Sequence, residues 1–167
     1  DSRDLIFKAS ISPSHLAKKF DPRIDIPRAL PRVEDQGVRG ACVAHAATSA
    51  TEYLQRQGAL LAGDNPDDVP ELSRLFTYYA GRAWVESGDP HDDGGMFVRS
   101  GLKAMAKYGS CLEALWPYSV SKYADEPNEA AKADAMGRQI LSYHKVVSLD
   151  DMMSALMEGT PVVGGFM

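Results

Sequence analysis

From Val43 onward, the apolar residues Val43, Ala46, Ala47, Ala50, Tyr53 and Leu54 recur at the spacing of one helix face. They predict a helix from about Ala41 to Gln57, with Gly58 just past its end. Its early turns are rich in alanine, which suits a helix packed closely on both sides. Ser73 stands as an N-cap before a second helix, whose apolar face is Leu75, Phe76, Tyr79 and Ala80. A third helix is predicted from about Met96 to Tyr108, with Phe97, Leu102, Met105 and Ala106 inward and Gly109 ending it. Between them, Ser87 to Gly95 is the most turn-rich stretch of the chain.

The pattern then changes. Leu115-Trp-Pro-Tyr118 is an apolar and aromatic knot without a period. Glu129 to Met136 reads as a short alanine-rich helix, and Gln139 to Val147 has the composition of a strand. Ser148-Leu-Asp-Asp151 resembles a capping box with Asp in place of Glu, opening a helix that runs to about Glu158 and closes at Gly159. Pro161 to Met167 reads as a second, buried strand. Residues 1–30 carry Pro13, Pro22 and Pro27 and no amphipathic period; they read as an extended arm with a short turn around Ser14 to Lys19. No internal repeat is visible.

Composition narrows the partners. Over 167 residues, 44% hydrophobic and 25% charged content is ordinary for a globular domain with a real core. A formal net charge of -5 argues against nucleic acid or an anionic membrane, both of which call for a basic face. No apolar run approaches the roughly 20 residues of a membrane span. The 2 cysteines, Cys42 and Cys111, are too few for a disulfide framework or an unaided zinc site. Cys111 reads as a buried small hydrophobe. No metal and no cofactor is expected. The compartment is left open: a chain that does not depend on disulfides permits a reducing one without requiring it.

Cys42 is different because of its neighbours. It falls in the first turn of the expected helix, where unpaired backbone N–H groups favour a thiolate. Gly37 and Gly40 precede it in a tight loop that lets backbone approach a substrate closely. Gln36 could supply a side-chain donor to an oxyanion, with the Cys42 backbone N–H as the second. Such a site lacks one part, an imidazole base with its orienting group. Of the four histidines, His45 is near Cys42 in sequence but on the same helix, where packing is the expected role. His15 and His144 are isolated. His91 lies in Asp89-Pro-His-Asp-Asp-Gly94, where Ser100 stands at the position an EF-hand reserves for glutamate, so a capped, solvated turn is expected.

Taken together, these stretches resemble the papain-like cysteine peptidases of the C1 family. Gln36-Gly-Val-Arg-Gly-Ala-Cys42 is similar to that family's nucleophile loop. Leu72 to Tyr79 resembles its second helix, and Asp93-Gly-Gly95 its substrate-binding double glycine. Tyr108-Gly-Ser-Cys-Leu-Glu113 with Trp116-Pro-Tyr118 resembles its Gly, Glu, Tyr-Pro-Tyr region, and Gly159-Thr-Pro-Val-Val163 a strand near the cleft. Arg3-Asp4 and Phe20-Asp-Pro-Arg23 look like the openings of bacterial and phage members without a long prosegment.

The resemblance implies an α+β, two-lobe fold: an arm over residues 1–30 crossing between the lobes, a complete helical lobe over 31–125, and over 126–167 the start of a β-rich C-terminal lobe only partly present. It makes Cys42 the nucleophile and Gln36 the oxyanion donor. Gly94 and Gly95 would bind substrate backbone, and Met96, Phe97 and Gly165 would line the pocket for the substrate's second side chain. The implied partner is a peptide or protein substrate.

Three departures accompany it. Val43 stands where an aromatic residue is usual. Arg39 and Asp92 stand where secreted members have a disulfide, so an Arg39–Asp92 ion pair is expected in its place. The family's histidine and asparagine lie about 130–150 residues after the cysteine, beyond Met167. The base is therefore expected from a C-terminal segment or a second chain. Two further readings stay open: an inactive relative that uses the cleft for binding, and an acyl transferase or amidase with the same chemistry.

Overall fold

Cys42 opens the longest helix among the described residues, α1 (Cys42–Ala62). The computed structural model describes residues 5–8 and 29–165. The α1 helix runs past Gly58, the expected end, with Gly58 in its last turns facing open space. It stops where Gly63 adopts a left-handed φ of 85° and its N–H returns to the Ala59 and Leu60 carbonyls.

The small residues of α1 allow two helices to approach it. Helix α2 (Arg74–Tyr79) starts at Ser73, whose Oγ accepts the Phe76 N–H at 3.0 Å, and all six of its residues are buried. It continues as a π-wound turn, Ala80–Val85, that sequence periodicity did not anticipate. Helix α3 (Val98–Lys107) begins later than expected, so Met96 and Phe97 lie ahead of it. Phe97, expected inward, is 77% exposed. The α1–α3 contact is tight: a Cβ on Gly101 would come within 2.8 Å of the Val43 side chain. A valine at position 43, where the family's aromatic residue was expected, suits this spacing.

Three apolar clusters result. Ala47, Leu72 and Met105 join α1 to α3. Ala41, Ala44 and Tyr78 join α1 to α2, with Met96, Tyr118 and Tyr123 packed against them. Phe76, Ala80, Ala104 and Cys111 join α2 and α3 to α4 (Glu129–Met136), whose Ala131 and Ala135 are fully buried. Asn128 caps α4 by accepting the Ala131 N–H at 2.9 Å.

The last helix, α5 (Leu149–Met157), starts as the sequence indicates, with Ser148 Oγ accepting the Asp151 N–H at 3.0 Å. The strands expected on either side of it do not form. Among the described residues the β-pairing there is a single parallel bridge, Ile6 with Lys145. Residues 139–147 and 161–165 form no ladder, so the apolar composition is present but no neighbouring strand satisfies it. The β-rich character expected of 126–167 is thus not seen. An open cleft of about 1160 Å³ runs between α1, α3 and these irregular segments, with Ala47, Leu54, Leu102, Ile140 and Val163 on its walls. The turn expected at Ser14 to Lys19, with Pro13, Pro22, Pro27 and His15, lies outside the described residues. No helix among the described residues is long and apolar enough to cross a membrane.

Candidate active site

The N-terminus of α1 is built without a side-chain cap. Ser73, Asn128 and Ser148 each place an oxygen on their helices, but Ala41 has none to offer. The first-turn N–H groups of α1 therefore remain available to a group outside the helix. Cys42 is exposed and its thiol is free, while its neighbours Ala41 and Ala44 are fully buried. Cys111 is the opposite case: it is fully buried, and burial pushes its thiol up to about 12.

The loop before Cys42 is held from three sides. Gly37 takes a φ of 61°, and its N–H bonds Asp35 Oδ1 at 2.8 Å. The Gln36 carbonyl accepts the Tyr118 hydroxyl at 2.8 Å, and the Gln36 side-chain amide donates to the Arg39 carbonyl at 2.7 Å. A side-chain amide has two N–H groups. With one committed to Arg39, the planar group fixes the direction of the other.

Across the loop lies Asp93. Its Oδ1 accepts the Tyr78 hydroxyl and the Gly40 N–H, and its Oδ2 meets Arg39 Nη1 at 3.2 Å. The ion pair expected between Arg39 and Asp92 forms instead one residue further on. Asp92 turns its carboxylate to the Gly94 N–H at 3.0 Å, capping its own turn. Partial burial alone would raise the Asp93 pKa, but the bonds from Tyr78, Gly40 and Arg39 outweigh it and hold the carboxyl below its ordinary value. The Arg39 guanidinium also donates to the Val120 carbonyl at 2.7 Å and lies 3.9 Å above the Tyr123 ring.

The close approach of the two segments explains two glycines. A Cβ on Gly40 would sit 2.8 Å from the Asp93 carbonyl and 2.9 Å from the Gly95 nitrogen. Gly95 itself has a φ of 86°, which an L side chain rarely adopts. Gly94 is exposed and Gly95 half-buried beside the Cys42 loop. Met96 turns inward: its sulfur fills the space a Cβ on Gly81 would need, against Ala41, Ala44 and Tyr78. Phe97 projects outward, its N–H on Glu86 Oε1 at 3.0 Å, and Gly165 is exposed at the far end of the described chain. Thus Gln36, Cys42 and the Gly94–Gly95 pair converge on one loop system, with Met96 beneath it.

The histidines sit as follows. His45 has Nδ1 3.0 Å from the Ala41 carbonyl and its ring edge-on to Tyr118, 4.7 Å between centroids. Burial lowers its pKa, so the ring is neutral near pH 7. His91 lies in a solvated turn capped by Asp89 Oδ1 at 2.8 Å, and His144 is exposed. Three supports of the loop carried no signal in the hydrophobic pattern. These are the Asp93 carboxylate, the Tyr118 hydroxyl and Arg82. The Arg82 guanidinium, 3% exposed, donates to the carbonyls of Pro90, Asp92 and Tyr123 and so clamps the turn before Asp93.

The whole arrangement is similar to known proteins. A peptidase C1-like protein of Acanthamoeba polyphaga mimivirus, itself uncharacterised, is 32% identical over 169 residues, covering 95% of this chain and 51% of the relative. Among solved structures, xylellain, a cysteine protease from Xylella fastidiosa, superposes with a TM-score of 0.72 at 26% identity, covering 95% of this chain and 60% of that one. Over nearly all of its length the chain is similar to papain-like, C1-type cysteine peptidases. The fold alone is shared with procathepsin L 3 from the larval midgut of Tenebrio molitor, at TM-score 0.61 and 22% identity over 92% of this chain and 44% of that one. No family model matches. The papain-like chain spans about half the length of the viral relative it matches.

Proposed function

We propose that this chain is the nucleophile-bearing part of a cysteine peptidase, with Cys42 as nucleophile and Gln36 as oxyanion donor. The observation that carries the reading is an exposed free thiol at an uncapped helix N-terminus, preceded by a loop that fixes the Gln36 side-chain amide, in a fold shared with a cysteine protease. In the proposed reaction the Cys42 thiolate attacks a peptide carbonyl carbon. A C–S bond forms, and the carbonyl electron pair moves to oxygen, where the Gln36 N–H and the Cys42 backbone N–H receive it. Collapse expels the amine, which takes a proton from an imidazolium. Water then attacks the thioester, giving its proton to the imidazole, and the acid leaves as the thiolate re-forms.

The imidazole is supplied from outside the described span. His45 does not suit the role, because its Nδ1 lies on the Ala41 carbonyl of its own helix and its ring packs against Tyr118. Residues 126–167 begin the second lobe, and the apolar cleft beside α1 and α3 supports this reading, since such a surface calls for a covering layer. Gly94 and Gly95 bind substrate backbone, while Met96, Phe97 and Gly165 border the pocket for an apolar side chain.

An electrophilic epoxide probe tests the reading on the full-length protein. Rapid Cys42-dependent labelling at neutral pH, with hydrolysis of a peptide amide that Cys42→Ala abolishes, is expected. Labelling no faster than a free thiol would favour a binding role, and product formation only with an added amine acceptor would favour transfer.

A further inference from the structure

We propose that Asp93 is a positioning residue for the oxyanion donor, acting on Gln36 through a single peptide group. The Gly40 N–H and the Arg39 C=O belong to the same peptide unit, which is planar and trans. Asp93 Oδ1 accepts the N–H of that unit at 3.1 Å, and Gln36 Nε2 donates to its C=O at 2.7 Å. The carboxylate, the peptide and the side-chain amide thus form one continuous hydrogen-bonded line. An anionic acceptor on the N–H side polarises the peptide and strengthens its carbonyl as an acceptor. Rotation of the peptide is blocked a second time, because Asp93 Oδ2 also holds the Arg39 side chain. Tyr78, from the buried α2, fixes the carboxylate in turn, and its ring lies 3.9 Å below the Arg82 guanidinium that clamps the preceding turn.

The consequence is directional. The bonds of Asp93 go to Gly40, Arg39 and Tyr78, so its route to the chemistry is the direction in which the free Gln36 N–H points. An oxyanion donor acts in the transition state, so its misalignment lowers kcat more than it changes KM. This role rests on the peptidase reading above.

The test is a double-mutant cycle in the full-length protein between Asp93→Ala and Gln36→Ala, read by kcat and KM on a peptide amide and by iodoacetamide alkylation of Cys42. Alkylation forms no oxyanion and so does not use Gln36. Asp93→Ala is expected to lower kcat about 10- to 100-fold, with KM within about 3-fold and alkylation within about 2-fold. In the Gln36→Ala background it is expected to cost less than about 2-fold more, because the donor it positions is gone. If Asp93→Ala does not fold, Asp93→Asn enters the same cycle: it keeps an oxygen for the Gly40 N–H, lacks the charge, and is expected to give a smaller loss that again vanishes without Gln36. Equal losses in both backgrounds, or alkylation falling together with turnover, would overturn the role of Asp93 while leaving Cys42-dependent hydrolysis intact. Absence of any Cys42-dependent hydrolysis in the wild type would overturn the peptidase reading and this role with it.

Discussion

Arg74 meets Glu52 in a two-pronged ion pair, 2.8 Å on each side, with side chains 2% and 3% exposed. Glu52 also accepts the Leu72 N–H at 2.7 Å, so one carboxylate ties α1 to the start of α2. Burial pushes the Glu52 carboxyl up, against the bonds from Leu72 and Arg74 that pull it down. Such a pair holds register more than it adds net stability, since two charges are desolvated to make it. Breaking it is another matter. Glu52→Ala leaves Arg74 buried and unpaired and is expected to cost about 3–5 kcal/mol. Urea unfolding of Glu52→Ala and of Glu52→Ala/Arg74→Met checks this. The double variant is expected to recover much of the loss, and a double variant no better than the single one would contradict the account.

Gly63 and Gly109 both end helices with positive φ, 85° and 76°, yet they are expected to respond differently to alanine. A Cβ at Gly63 meets nothing within 4 Å, so Gly63→Ala carries only the left-handed penalty, about 1–2 kcal/mol. A Cβ at Gly109 would lie 1.7 Å from the Ala135 carbonyl oxygen and 2.7 Å from its carbon, where α3 runs under the end of α4. That atom is backbone and cannot swing away. Gly109→Ala is expected to unfold or to lose several times more stability than Gly63→Ala. Thermal melts of the two variants side by side decide it, and equal shifts would show that α4 yields.

The acid response of Asp93 gives a further prediction. Its carboxyl lies below the ordinary value because Arg39, Tyr78 and the Gly40 N–H outweigh its partial burial, and Tyr118 is the other titratable group near it. A lowered folded pKa means that the unfolded chain binds the proton first as pH falls. The contribution of Asp93 is therefore complete above the ordinary carboxylate pKa of about 3.9 and is lost as pH falls through the lower folded value. Asp93→Asn is expected to lower Tm at pH 7, with a gap from wild type that narrows towards pH 3. A gap that stayed constant would show that the charge contributes nothing.

How much of this was legible in the sequence differs from element to element. Helix starts were readable where a side chain encodes them: Ser73 and Ser148 act as caps where the sequence placed them. The end of α1 was misplaced because Gly58 and Gly63 look alike in sequence, and only the second turns left-handed. The expected strands at 139–147 and 161–167 followed from composition, but a strand exists by pairing, and composition carries no partner. Around the candidate site, the placing of Gln36, Cys42 and Gly94–Gly95 on one loop system follows from spacing that is local or resembles a known family, while their roles remain the proposal made above. Asp93 was misread by one position in favour of Asp92. Adjacent residues of the same type differ there only in which way the turn aims them, and Arg82 decides that by holding the carbonyls of Pro90 and Asp92.

His45 offers a check on the proposal that the base for Cys42 lies outside the described residues. Its ring is half-buried, with Nδ1 on the Ala41 carbonyl and an edge on Tyr118, whose hydroxyl holds the Gln36 carbonyl. Burial lowers its pKa, so it favours the folded state above the ordinary histidine range and opposes it as pH falls, when the unfolded chain takes up the proton first. His45→Phe keeps an aromatic ring against Tyr118 and removes the titration. The expected result is a Cys42 alkylation rate with the same pH midpoint as the wild type, together with a smaller loss of Tm between pH 7 and pH 5. A change in that midpoint would make His45 the partner of the thiolate, and the base would then lie on α1 itself.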